Sequence, residues 1–318
     1  MTDDQRTAVV IPCRDERATL AACIASVRAQ DPQPTWVVVV DNGSVDGSRE
    51  IGRARADVLI ERAGGTIAAS RNAGVAAVPD AELIAFLDAD CEAAAGWLAA
   101  GLTALETADL AGHRVEAPPS ASWVARHWSA VELQLTRAGA AVWSANMVVR
   151  REAFDAVGGF AAHLRTNEDV DLCRRLLAAG CGVTAVPAMR VRHHGFPGTL
   201  AGFVRRERWH ASTPGWFWAT SPRTRGLLAA ASAWAVTCLL AVGRSGGRRG
   251  RVLLGLAAAT AGGIAVLGRA AGGGAGPGGV TTSAARGILV ATWAVARLSR
   301  LPRGLRRPPL PRGGPGAA

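Results

Sequence analysis

Asp88 and Asp90 flank one alanine at the end of the apolar run 83–87, LIAFL. Carboxylates spaced this way where a chain leaves a strand can face a common point. Hard oxygen donors suit Mg2+ or Mn2+, which keep several waters and bridge to substrate phosphates. A second acidic turn, Asp41-Asn42-Gly43-Ser44 continuing to Asp46-Gly47-Ser48, follows the run WVVVV. Its glycines let backbone approach a ligand, while Asp41 would repel a phosphate and better suits a base or a ribose. Glu168-Asp169 open a helical pattern behind the Gly158-Gly159-Phe160 turn. A carboxylate there can take the proton of a substrate hydroxyl, an effect worth roughly 10²–10⁴-fold. Each acid also has a plain structural reading: turn acids in solvent, an ordinary strand-to-helix turn, or charge compensation at a helix N-terminus.

The segments around these acids predict how they are held. TAVVIP (7–12) and WVVVV (36–40) read as short strands buried on both faces, and residues 57–60 and LIAFL (83–87) as a third and a fourth strand. Between them lie helical patterns over 17–30, with Leu20, Ile24 and Val27 on one face, over a segment through Ile51 capped by Ser44 or Asp46, and over 67–77. This alternation predicts an α/β chain with a mostly parallel sheet, whose ligands bind beyond the carboxyl ends of the strands. Asp41, Asp88 and Asp90 all fall at such ends. Residues 111–165 are less regular. A helix over 167–179, with Val170, Cys173 and Leu177 inward and Gly180 as its stop, is followed by short strands at 183–186 and 189–191 before His193-His194.

The order VVIPCRDE, VVVVDNGSVDGS, ERAGGTIAASRNAG, IAFLDADC, SANMVVRREAFDAVGGF and NEDVDLCRRLLAAG closely resembles family 2 glycosyltransferases of the GT-A fold, over about residues 7–194. The resemblance implies an inverting transfer of sugar from a nucleotide-diphosphate sugar to an acceptor hydroxyl. It places Pro12, Glu16 and Asp41 around the nucleoside, Arg71 near the base or diphosphate, and Asp88 on ribose or metal. Asp90 would ligate Mg2+ or Mn2+, with His193 or His194 as a further ligand. Asp169 would be the base, supported by Glu168 and Asp171. RRERW (205–209) is similar to the QxxRW box of processive synthases, implying Arg208 and Trp209 as a clamp on acceptor and diphosphate. Trp143 is a candidate for stacking on a sugar or for the core. Two departures stand out: Cys13-Arg14-Asp15 replaces the frequent Thr-Tyr-Asn, and Asn42 replaces the second Asp of DDGS. A nucleotidyltransferase would want a Gly-rich phosphate loop after the first strand, where Pro12-Cys13-Arg14 offers only an arginine. An inactive membrane-anchored binding module would not need Asp88, Asp90 and Asp169 together.

Composition sorts the chain into regions. The formal charge is +11 with a pI near 11.1, a balance that usually suggests nucleic acid. Its distribution excludes that reading. All basic side chains are Arg, 14 of them lie from Arg223 onward with no acid, and the first 222 residues carry 22 Arg against 25 acids. Residues 1–222 therefore read as the GT-A domain. Residues 223–300 hold two uncharged runs, 226–243 and 252–268, flanked by Arg and read as membrane-associated helices at the cytoplasmic face of the membrane. Residues 301–318 read as a disordered Pro/Gly/Arg tail. A lipid-linked or cell-envelope acceptor fits that location. The six cysteines lack zinc-ligand spacing and read as free thiols.

Overall fold

Thr7–Cys13 forms β1, buried along its whole length because the neighbouring strands and the helices on both faces leave its apolar side chains no solvent. The computed structural model describes residues 6–136 and 142–212, with 285–290, 292–293, 296–297, 299; side chains of 133–136 are excluded. Along the chain follow α1 (Leu20–Arg28), β2 (Trp36–Asn42), α2 (Ser48–Arg55), β3 (Val58–Arg62), α3 (Ile67–Ala76), β4 (Leu83–Leu87), β5 (Cys91–Ala93), α4 (Trp97–Ala104) and β6 (Leu110–Gly112). Next come α5 (Trp123–Thr136), β7 (Asn146–Arg150), α6 (Arg151–Ala156), α7 (Glu168–Ala178), β8 (Val183–Ala185), β9 (Val191–His193) and α8 (Leu200–His210).

The main sheet has the order β3-β2-β1-β4-β7-β6-β8. Six strands run one way and β7 alone is reversed, so the expected mostly parallel α/β sheet is present. Side chains alternate between two cores: Val9, Ile11, Val37 and Val39 face α1, while Val10, Val38, Val40 and Phe86 face α3 and the aromatic trio Phe86, Phe154 and Phe160. β5 and β9 form a separate two-stranded ribbon just beyond the end of β4.

Three local expectations need correction. The cap position of α2 belongs to Gly47, whose φ of 100° favours glycine, and Asp46 instead accepts from the Ser48 amide and hydroxyl. The inward stripe of α7 is Glu168, Leu172 and Leu176, with Cys173 beside it, and Leu177 is half exposed. Glu168 sets that stripe by turning inward to a buried arginine, and residues four apart follow it. The last strand covers Val191–His193 rather than 189–191, two residues later than its apolar pattern suggested.

Residues 213–284 and 301–318, on which most of the membrane and tail expectation rests, lie outside the described residues. Among the described residues no helix is long and apolar enough to cross a membrane. Residues 285–290 are helical, and Leu289, Val290 and Trp293 are buried in the core that also holds Val9 and Leu20; Ala296 is buried as well. Trp128 of α5 joins this segment to α8, with Phe203 at 4.7 Å and Trp293 at 6.1 Å between ring centroids. Leu289, Val290 and Trp293 thus pack into this core, while Ile288 beside them is exposed.

Candidate active site

The loops after β1 and β2 are sewn together through backbone amides. Asp15 donates its amide to Ser44 Oγ (2.9 Å), Glu16 to Ser48 Oγ (2.8 Å) and Arg17 to Asp46 Oδ2 (2.9 Å), while Val45 donates to Asp15 Oδ1 (2.9 Å). Asp15 takes a left-handed φ of 56° to make this crossing. Pro12 and Asp41 lie on the adjacent strands, in register opposite Val40 and Cys13. Asp41 is fully buried, accepts from the Ser44 amide with both oxygens (3.3 Å) and meets Arg49 Nε at 3.2 Å. The carboxylate of Glu16 accepts from Thr19 Oγ1 (3.0 Å) and faces Asp90, so burial and that like charge push it up.

Arg71 is the centre of the acidic cluster. Carried inward by α3, it donates from Nη2 to Asp88 Oδ1 (2.6 Å) and from Nη1 to Glu168 Oε1 (2.8 Å). Its side chain is 1% exposed, so it binds carboxylates rather than reaching outward. Burial pulls its pKa down, yet the two acids outweigh this and raise it. Burial pushes Asp88 up despite Arg71. Glu168 also accepts from Ser144 Oγ (3.1 Å). Asp169, the next residue, is half-buried and accepts from the Ser144 amide at 3.4 Å. Burial, then the Glu168 charge, lifts its pKa to about 7. Asp171 turns to its own helix, pairing with Arg174 (3.2 Å) and Arg175 (2.7 Å).

The β5–β9 ribbon assembles a second group. Cys91 pairs with His193 across the strands, which brings His193 Nε2 to 3.1 Å from Asp90 Oδ2. Burial would raise Asp90, but His193 holds its pKa below the usual carboxylate range. His194 points the other way, to Glu92 at 2.7 Å, so of the two candidates only His193 joins Asp90. A Cβ at Gly195 would overlap the Asp90 carboxylate and crowd His193 Nε2, so this backbone approach requires glycine. One carboxylate oxygen and one imidazole nitrogen, 3.1 Å apart beside an open glycine, fit two positions around a divalent cation whose others are filled by water or phosphate oxygens. Cys91 Sγ lies in the same group, but burial keeps its thiol protonated, and sulfur is too soft for Mg2+.

Arg208 and Trp209 are both exposed on α8 and make no contact with this cluster among the described residues. The inward members of that box are Glu207, paired with Arg297 at 2.9 Å, and Arg206, stacked on Phe196 at 5.1 Å. Trp143 carries the guanidinium of Arg114 on one face, 4.7 Å from its centroid. Sequence reasoning missed Arg114, Ser144, Asn146 and Gly195 as site residues. Ser144 and Asn146 sit within SANMVVR and Gly195 directly follows the two histidines, but Arg114 belongs to no motif.

The sequence profile of glycosyl transferase family 2 matches residues 8–158, and that of glycosyl transferase family group 2 matches 88–266, more than half of the chain. The chain belongs to glycosyl transferase family group 2. Among individual relatives of this family, glycosyltransferase AglE of Haloferax volcanii is 31% identical over 191 residues, 55% of this chain and 62% of that protein. The pre-mycofactocin glycosyltransferase of Mycobacterium tuberculosis is 33% identical over 203 residues, 58% of this chain and 42% of that protein. The match thus spans less than two thirds of either curated relative. In structure, mannosyltransferase PcManGT from Pyrobaculum calidifontis, solved with GDP-Man and Mn2+, superposes with a TM-score of 0.60 at 19% identity over 92% of this chain and 87% of that one. That likeness establishes the α/β, GT-A-like fold with its mostly parallel sheet. GalNAc-T7, solved with UDP, GalNAc and Mn2+, has a TM-score of 0.50 at 18% identity over 67% of this chain and 51% of that one.

Proposed function

We propose that this family member transfers a sugar, with inversion, from a nucleotide-diphosphate sugar to an acceptor hydroxyl, with Asp169 as the base. The observation that carries this reading is Arg71 linking Asp88 to Glu168, the residue beside Asp169, with the Asp90–His193 pair two residues beyond Asp88. The solved relatives bound to GDP-Man or to UDP, each with Mn2+, support a nucleotide sugar and a divalent cation as ligands here.

Asp90 and His193 would hold the cation, which when bound neutralises charge growing on the leaving diphosphate. Pro12, Glu16 and Asp41 line the region assigned to the nucleoside, and Asp88 is fixed by Arg71 for ribose or metal. Asp169 accepts the proton of the acceptor hydroxyl, whose oxygen attacks the anomeric carbon opposite the leaving group. A carboxylate near pKa 7 suits that task, since a general base works best near the operating pH. Glu168, pinned by Arg71 and Ser144, raises Asp169 and orients its helix.

A thermal-shift screen of UDP-, GDP- and dTDP-sugars with Mn2+ or Mg2+ identifies the donor, because binding to the folded state raises its stability. With that donor, Asp169→Asn and Asp90→Ala should each lower turnover by about 10²-fold or more. Parent-like turnover in both variants would refute the assignment. The uncharged runs at 226–243 and 252–268, flanked by Arg, support a place at the cytoplasmic membrane face and a lipid-linked or cell-envelope acceptor. Flotation with anionic but not neutral vesicles is the expected result, and equal absence from both would remove that part of the reading.

A further inference from the structure

Among the described residues, Arg114 is in none of the ion pairs of the site. It lies in the connection between β6 and α5, and its backbone is fixed on both sides: His113 donates its amide to the Asn146 carbonyl (3.1 Å), and Glu116 donates to the Val191 carbonyl (2.8 Å). The Arg114 carbonyl accepts from Asn146 Nδ2 (3.1 Å), and the Asn146 amide donates to the Trp143 carbonyl (2.8 Å). One buried asparagine therefore holds both the arginine and the tryptophan on which it lies. Asn146 is itself locked by Trp97 Nε1 (2.8 Å) and by its own bond to the Met189 carbonyl (2.8 Å).

Among the described residues the guanidinium so positioned has no hydrogen-bond acceptor, no carboxylate lies within 4.0 Å of it, and its Nε is sealed from solvent without a partner. Burial pulls its pKa down to about 10, opposed by the charges of Glu132 and Asp169. Trp143, on which Arg114 lies, directly precedes Ser144, whose amide donates to Asp169 Oδ2 (3.4 Å), whereas His193 lies 3.1 Å from Asp90. Arg114 therefore belongs to the base side of the cluster rather than the cation side. A planar group with five donors, stacked on an indole and kept rigid beside a catalytic carboxylate, matches a carboxylate or phosphate in bidentate geometry.

We propose that Arg114, held on Trp143, is an acceptor subsite that binds an anionic group, phosphate or carboxylate, of the molecule whose hydroxyl Asp169 deprotonates. This rests on the glycosyl-transfer reading and adds the chemical class of the acceptor. One face of Trp143 thereby serves as the platform for the cation, and the preference for an anionic acceptor comes from Arg114 rather than from the indole.

The test uses the full chain and three alkyl probes: n-octyl phosphate, n-octyl glucuronide and uncharged n-octyl glucoside. Affinity is measured by calorimetry, and the site by the ¹H–¹⁵N resonance of Arg114 Nε, assigned through its loss in Arg114→Lys. The wild type should bind at least one anionic probe about tenfold or more tighter than the glucoside, a gain typical of a charge-assisted bidentate contact, with movement of that resonance. Arg114→Gln should bind the glucoside as before and lose the anionic preference, and Arg114→Lys should keep part of it. If Arg114→Gln does not fold, Arg114→Lys and Trp143→Phe carry the same comparison. Preference for the phosphate marks a phosphorylated acceptor, and preference for the glucuronide marks an acidic sugar. Equal affinity for all three probes in the wild type, or an anionic preference that survives in Arg114→Gln, would overturn the subsite. Sugar-nucleotide binding is scored separately: an anionic preference without any such binding would sink the transfer reading and leave Arg114 an anion site without an acceptor role.

Discussion

Arg71 and Asp169 show how the site keeps several acids in a small volume. Arg71 spends two donor groups on Asp88 and Glu168, so the acids nearest the sheet are neutralised while Asp169, one residue farther on, is not paired within 4.0 Å by any described cation. Burial and the Glu168 charge then hold the Asp169 proton up to about 7, against an ordinary carboxylate value of 3.8. The sign of the stability effect follows. The folded chain holds this proton more tightly than the unfolded chain, so the group costs stability as pH rises from about 4 to about 7. Asp169→Asn should therefore unfold at higher temperature than the parent at pH 8 and at nearly the same temperature at pH 4, a gain of order 1–4 kcal/mol, while losing activity. In the parent, kcat should fall about tenfold per pH unit below 7. Melting curves at the two pH values and a pH–rate profile check both. A variant destabilised at pH 8 would mean that the carboxylate is a structural partner rather than a base kept ready at an energetic cost.

The ribbon of β5 and β9 is the element that turns a sequence motif into a geometry. Asp88-Ala89-Asp90 could be read directly, since it ends an apolar strand, and so could β1, β2 and β4, whose apolar runs are buried, whereas β3 at the sheet edge is only partly buried. What could not be read is which histidine reaches Asp90. Side chains alternate along a strand, so a shift of one residue in the pairing would exchange His193 for His194, and only the opposition of Cys91 and His193 decides it. β6 was hidden for a related reason: three residues, Leu110–Gly112, give no periodicity. Arg114 follows that strand and takes its role from Asn146, distant in sequence, so no local pattern marks it. The ribbon also makes a sharp prediction. Gly195→Ala should abolish the rise in melting temperature produced by Mn2+, because its methyl group would occupy space next to Asp90 and His193, while Leu200–His210 and the main sheet stay as they are. Circular dichroism matching the parent with no Mn2+ shift is the expected outcome, and a parent-like Mn2+ shift would exclude the Asp90–His193 cation site.

Across the whole molecule the charge separates from the apolar packing. The arginines after residue 222 have no acid in sequence to offset them, yet Arg297 finds one in space, the buried Glu207 of α8. Trp293 sits against Trp128, which in turn meets Phe203, so Trp293, α5 and α8 share one aromatic seam. The C-terminal end of α8 carries the coupling onward: the His210 carbonyl accepts from Thr166 Oγ1 (3.2 Å) and Asn167 Nδ2 (3.3 Å), the two residues immediately before Glu168-Asp169. A chain of packed groups thus runs from beyond residue 284 to the start of the helix bearing the proposed base. Any membrane attachment through 223–284 would then be bracketed on both sides by segments of the catalytic core. Trp293→Ala removes the C-terminal member of the seam, and a buried tryptophan cut to alanine costs about 3–5 kcal/mol. In urea, the transition of the full chain should move to lower denaturant as a single step, with the loss seen equally by far-ultraviolet circular dichroism and by sugar-nucleotide binding. An unchanged midpoint, or a separate early transition that leaves binding intact, would mean that the packing of Trp293 is dispensable and that α8 holds the base helix without it.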